Sequence, residues 1–195
     1  TKRGLKLKGT DNHLIKKLNS KKRQEKIFDW IELGNLKKGD KISINNNRNV
    51  KNFDGDFKLN FEKGWLIGNL LGDGTFDGNT AILRFWGENN AQMKEIAVKY
   101  LENNVKHRSD LGSGNDKKII SIKSKGLYEL CEEINIDKSK KSSDAIEKTD
   151  YQFYRGFFSG WFDADGTVLN NTEKGISVRL SSSDLYNLEI AQRML

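Results

Sequence analysis

The chain has 195 residues, with 34 Lys and Arg against 27 Asp and Glu, a net charge of +7, one cysteine and no proline. That length allows one or two domains, and a single cysteine excludes a disulfide framework. No segment reads as a secretory leader or is apolar for long enough to span a membrane, so the expected setting is intracellular and cytoplasmic.

The excess charge is uneven. Residues 1–30 carry ten Lys/Arg and three Asp/Glu, whereas residues 31–195 carry 24 of each. Near the start, Gly9-Thr10-Asp11-Asn12-His13 sets a threonine and a histidine three apart. A lone Thr-x-x-His is also what a surface turn looks like. The basic run of Lys16, Lys17, Lys21, Lys22, Arg23 and Lys26 suits either phosphate contact or a solvated insert. Trp30 to Ile42 follows, with Leu36-Lys37-Lys38-Gly39-Asp40 at its centre.

Two later segments are copies of one another, 92 positions apart. The first runs from Gly64 to Thr75 and the second from Gly156 to Thr167, and each ends in Asp-Gly-Thr. Both read as helices. Asn60 is a plausible N-cap for the first, and Thr149 to Gln152 fits a capping box before the second. Small residues recur every fourth position: Gly64, Gly68 and Gly72 in one, Gly156, Gly160 and Ala164 in the other. An interior glycine costs about 1 kcal/mol relative to alanine, so five of them on matching faces imply two backbones in close approach. The bulky residues (Trp65, Leu66, Leu70, Phe157, Phe158, Trp161, Phe162) are left to pack on flanking sheets.

Asp73 and Asp165 then fall at the helix C-termini, with Gly74 and Gly166 at the left-handed cap position. A carboxylate there meets the negative end of the helix dipole, and a cation would reverse that penalty. One Asp-Gly alone is an ordinary turn signal; two at equal register after matched glycine rows point to a paired acidic site.

Each helix is followed by alternating strand patterns. Ala81, Leu83 and Phe85 alternate with Ile82, Arg84 and Trp86; Ile176, Val178 and Leu180 alternate with Ser177, Arg179 and Ser181. Arg84 and Arg179 are expected at equivalent outward positions. Glu95 to Leu101 matches Glu189 to Leu195, so the repeated unit is helix, strands, helix. The first copy continues with an alternating strand, Lys117 to Lys125, whose Lys117, Lys123 and Lys125 face outward. A short helix with Leu127, Leu130, Cys131 and Ile134 on one apolar face follows, which makes Cys131 a core residue. No counterpart of this continuation follows in the second copy, so the chain is expected to stop inside its second repeat.

Leu66 to Gly74 and Phe158 to Gly166 resemble the nine-residue motif of the LAGLIDADG homing endonucleases. The second, ending Asp163-Ala164-Asp165-Gly166, is close to the family pattern; the first carries Leu71-Gly72 where Asp-Ala is usual. The resemblance implies an α+β fold of two pseudo-symmetric helix-strand-strand-helix repeats, about residues 60–148 and 149–195 of a domain spanning 53–195. It assigns metal binding and catalysis to Asp73 and Asp165, and a lesser acidic position to Asp163. It also implies a lysine about 25 residues before the second aspartate, for which Lys140 is the best register and Lys141 the next. The family's proline after that lysine is absent here. The implied partner is double-stranded DNA with a long recognition site, cut by a monomer with internal two-fold symmetry. The implied cofactor is a divalent metal, magnesium, which takes oxygen ligands and serves phosphodiester hydrolysis. Arg84, Lys117, Lys123, Lys125 and Arg179 are the candidate DNA contacts, each equally at home as a solvated strand residue.

Residues 1–52 are similar to part of the splicing domain of inteins. In that family Thr10 and His13 would help activate an upstream peptide bond, and Trp30 to Ile42 would form the strand and turn that follow. The junction residues of an intein are not in the chain, which therefore reads as an intein interior that does not splice as it stands. Three other readings stay open: a decayed and inert element, an RNA maturase, and a DNA-binding regulator on the same fold.

Overall fold

The computed structural model describes residues 6–22, 25–44, 53–106, 119–171 and 175–195. The chain divides into two compact units, Thr1–Lys51 and Asn52–Leu195.

The first unit is built on an antiparallel hairpin of β1 (Leu14–Lys22) and β2 (Glu25–Glu32), with a register shift between Leu18 and Ser20. A short 3₁₀ turn, Leu33–Asn35, follows. Beyond it Gly39 takes φ +102°, a conformation open to glycine, and the chain doubles back so that Ile42 bridges Lys17. Asp40 ties this turn: it accepts from Lys37 N at 2.8 Å and pairs with Lys17 at 2.9 Å. The Lys17 ammonium and the Lys37 N–H hold the Asp40 carboxyl below its ordinary value.

In the second unit the order is α1 (Phe61–Gly72), β3 (Thr75–Asp77), β4 (Thr80–Trp86), α2 (Asn90–Asn104), β5 (Ile119–Ser124), α3 (Lys125–Glu133), α4 (Asp144–Glu147), α5 (Tyr151–Asp165), β6 (Gly166–Asn171), β7 (Gly175–Leu180) and α6 (Leu185–Met194). The elements form a mixed α+β arrangement in which helix, two strands and helix occur twice. Asn60 caps α1 by accepting from Lys63 N at 2.8 Å. The cap of α5 is Asp150, which accepts from Phe153 N at 2.9 Å. That is one residue after Thr149, the cap expected from the capping box, because the Thr149 hydroxyl turns back to the Ile146 carbonyl instead.

The two glycine rows face each other. A Cβ on Gly64 or Gly68 would run into the Phe153 or Phe157 carbonyl, and one on Gly156 or Gly160 would meet the carbonyls of Phe61 and Trp65. Gly72 lies against the Ala164 methyl. The helices therefore touch backbone to backbone. Their flanks carry Leu66, Ile67, Leu70, Phe153, Phe157 and Trp161, all essentially inaccessible. At about 1.5–3 kcal/mol for each large apolar side chain buried, these offset the glycine penalty.

Around α1 the three-stranded sheet, in the order β3-β4-β5, presents Ala81, Leu83, Phe85 and Ile122 to a core closed by α2 and α3. Cys131 is fully buried in α3, and burial pushes its thiol up to about 12. The second repeat differs. In the β6–β7 ribbon, Val168 pairs with Val178 and Asn170 with Ile176. Val178 and Ile176 are 60% and 71% exposed, where alternation predicts burial, and Val168 opposite Val178 is 67% exposed. Thr75 pairs with Ile82, and its counterpart Thr167 pairs with Arg179. Arg179 thus shares a face with Arg84 but sits at the register of Ile82, two residues from the expected equivalence. Longer connections in one copy than in the other shift the strands relative to the helices, which a constant offset in sequence does not reveal.

Candidate functional site

Both aspartates stand at the joined tips of α1 and α5. Asp73 is the C-cap of α1, with φ −85° and ψ −7°, and Asp165 is the last residue of α5. The left-handed caps expected of Gly74 and Gly166 do not form. Gly166 is extended at φ −80° and ψ 149°, and Gly74 is not among the glycines with positive φ. These glycines are required by space instead. A Cβ on Gly74 would come within 2.7 Å of Leu70 backbone atoms, and one on Gly166 would run into the Phe162 carbonyl.

Lys140 completes the cluster. It lies on the loop between α3 and α4 with φ +61°, and its Nζ donates to the carbonyls of Gly72 at 2.7 Å and Gly74 at 3.0 Å. A cation was expected where the α1 dipole leaves its negative end, and this chain supplies one of its own. Burial raises the Asp73 carboxyl above its ordinary value; the charge of Asp165 adds to the rise and Lys140 opposes it. Burial lowers the Lys140 ammonium, Asp165 and Asp73 pull it back up, and Arg84 pushes it further down. Lys140 therefore feels the charges of Asp165, Asp73 and Arg84. Lys141, the neighbouring candidate, is exposed and donates its backbone N–H to Asp137.

Two tryptophans reach the acidic residues, and nothing in the sequence pattern marked them for that. Trp161 Nε1 donates to Asp165 Oδ2 at 3.1 Å, and Trp65 Nε1 crosses from the other helix to Asp163 Oδ2 at 2.9 Å. Trp161 corresponds to Asn69, whose side chain donates weakly to Trp65 O at 3.4 Å. The two tips are thus unequal: a lysine serves the first and an indole the second. A cleft of about 460 Å³ opens beside them, bounded by Gly72, Lys140, Asp165, Asn187 and the serines 181–183.

The remaining candidates separate. Arg84 on β4 and exposed Lys123 on β5 lie on one sheet face, since Arg84 pairs with Ser121 and Ile82 with Lys123. Arg179 is exposed on β7. Lys125 is not a strand residue: it begins α3 and pairs with Glu129 at 3.8 Å, because Ser124 caps a helix there by accepting from Leu127 N. Lys117 lies outside the described residues. In the first unit Thr10 and His13 close an exposed turn, with His13 N donating to Thr10 O at 2.9 Å.

Among the described residues no three His, Cys, Asp or Glu side chains converge as a closed metal cage. The donor set at the helix tips is all oxygen. Two partly accessible carboxylates that repel one another match a hard divalent ion that keeps water or substrate oxygens among its ligands.

Residues 152–195 match the family model described as the LAGLIDADG-like domain. No curated protein matches the chain. Among solved structures it is similar to I-DmoI in complex with its target DNA nicked in the coding strand, in the presence of manganese. The identity there is 19% over 69% of this chain and 74% of that one, with a TM-score of 0.48. It is also similar to I-DmoI in complex with DNA and manganese, at 20% identity over 69% and 75% and a TM-score of 0.47.

Proposed function

We propose that the chain is the DNA-cutting part of an intein: a site-specific, double-strand homing endonuclease that works inside the cell and uses magnesium or a similar divalent ion. The observation that carries the reading is the meeting of Asp73, Asp165 and Lys140 at the tips of two helices locked together by their glycines. Asp73 and Asp165 would hold the ion. When bound, it supplies an activated water and neutralises charge on the phosphate in flight.

The chain's own residues do the rest. Two of the three donors on the Lys140 ammonium are spent on Gly72 O and Gly74 O. The third is left for a water or a phosphate oxygen, and its positive charge opposes the rise that burial and Asp165 impose on the Asp73 carboxyl. Trp161 fixes the orientation of Asp165. Arg84, Lys123 and Arg179 would neutralise backbone phosphates and set the duplex in register. A long recognition site and a monomer with pseudo-two-fold symmetry follow from having two such platforms on one chain. The matched repeat and the family match over residues 152–195 support this reading.

The splicing part of the proposal rests on Thr10, His13 and the strand and turn through Trp30 to Ile42. It belongs to the full-length parent.

The test is selection of a duplex from a randomised library, followed by incubation of that duplex with magnesium. Magnesium-dependent breakage of both strands at one position is the expected result. Tight, sequence-specific binding without cleavage would overturn the nuclease reading and leave a DNA-binding regulator.

A further inference from the structure

Asn187 is buried on α6, 4% exposed, and both ends of its carboxamide are engaged. Nδ2 donates to Lys140 O at 2.8 Å, and Oδ1 accepts from Ser142 N at 2.8 Å. One side chain thus grips the loop on both sides of a single residue, as a neighbouring strand would. The grip is needed because Lys140 is held at φ +61°. A long side chain in the left-handed region costs about 1–3 kcal/mol and persists only when its surroundings enforce it.

The loop has two anchors. On its N-terminal side Asp137 Oδ1 accepts from Ser139 N, Ser139 Oγ and Lys141 N. On its C-terminal side Asn187 holds Lys140 and Ser142, while the Ser142 hydroxyl is buried with no partner among the described residues. The helix bearing Asn187 is itself fixed at that point, since Asp184 Oδ1 caps it by accepting from Asn187 N at 3.1 Å. Between the two anchors the bend at Lys140 aims Nζ at the Gly72 carbonyl that ends α1 and the Gly74 carbonyl just beyond it.

We propose that Asn187 is a positioning residue for Lys140: a carboxamide from the second repeat that sets where the ammonium stands against the Gly72 and Gly74 carbonyls at the tip of the first repeat's helix. The inference rests on the nuclease reading for its consequence in catalysis, but not for its geometry.

The experiment has two arms on the full 195-residue chain. In the first, Lys140 is labelled with trace acetic anhydride and read by mass spectrometry against exposed Lys99. Asn187→Ala should label Lys140 several-fold faster than the parent does, with Lys99 unchanged. Equal rates overturn the proposal. In the second, single-turnover cleavage of the selected duplex is measured for Asn187→Ala, Lys140→Ala and the double variant. Displacing a reacting group by an ångström costs about 10²-fold, and that loss is expected in the rate constant, with duplex affinity kept. The double variant should be no slower than Lys140→Ala. Penalties that multiply would show Asn187 to be merely structural and sink the idea. If melting shows Asn187→Ala to be unfolded, Asn187→Asp replaces it, since it keeps the bond from Ser142 N and loses the one to Lys140 O. A labelling difference in a protein that cuts nothing leaves the clamp standing and removes the nuclease reading.

Discussion

Trp161 donates its indole N–H to Asp165 one helical turn further along α5, whereas the matching position in the first repeat, Asn69, turns its side chain back to Trp65 O. Among the described residues, only Asp165 of the two helix-tip carboxylates accepts a side-chain hydrogen bond from its own helix. Trp161→Phe keeps the ring in the core and removes that hydrogen bond. It is expected to slow cutting of one strand more than the other, so that nicked duplex accumulates in a time course. Equal slowing of both strands would show that the bond has no separate role.

Asp73→Asn and Asp165→Asn are each expected to abolish double-strand cleavage while leaving affinity for the selected duplex largely intact. Normal magnesium-dependent cleavage by both variants would remove the assignment.

The Asp73 carboxyl is raised from 3.8, chiefly by burial and next by Asp165. The folded state therefore binds this proton more tightly than the unfolded state does. The resulting stabilisation is full below 3.8 and is lost as pH rises through the higher folded value. At neutral pH in a chelator the ionised group opposes folding, so Asp73→Asn should melt above the parent, with the gap closing as the pH is taken below 3.8. Magnesium should raise the melting temperature of the parent and leave the Asp73→Asn/Asp165→Asn double variant unmoved. Scanning fluorimetry across pH, with and without magnesium, reads both effects.

Gly68→Ala drives a methyl into the Phe157 carbonyl and is expected to cost about 3 kcal/mol or more by denaturant melting. At Gly72 the obstruction is the Ala164 methyl. Gly72→Ala should therefore be rescued in good part by Ala164→Gly, and a rescue at Gly68 by the same partner would contradict the facing of the rows.

Alanine at Arg84, Lys123 or Arg179 should weaken duplex binding and lower the slope of log affinity against log salt by about 1 for each phosphate left without its cation. Lys125→Ala should leave that slope alone, because Lys125 sits on α3 beside Glu129. A reversed ranking would move the DNA off this sheet face.

The sequence carried the parts of this fold that depend on periodicity. The small residues from Gly64 to Gly72 and from Gly156 to Ala164 disclosed two helices in backbone contact, and the alternation around Leu83 disclosed a sheet. It failed where tertiary context decides. Gly74 and Gly166 looked like left-handed caps, but their glycines answer to the turn beneath them. Ile176 and Val178 looked half-buried, since alternation marks an apolar face without saying whether anything covers it. Arg84 and Arg179 looked equivalent until the pairing of Thr75 and Thr167 set the register. Asn187 left no trace in the pattern at all, because it acts on backbone groups, which every residue has. Lys140 was reached by resemblance, and its unusual φ could not have been.

The seam between α1 and α5 also governs what can move. Side chains that interdigitate can change rotamer and let two elements slide or hinge, but carbonyls resting on glycine Cα atoms have no such slack. The carboxylates at its end are therefore held at a fixed gauge. On the proposed nuclease reading, any mismatch between that gauge and the spacing of two target phosphates would be absorbed by bending the duplex. Sequences that bend easily would be preferred at base pairs the protein never touches.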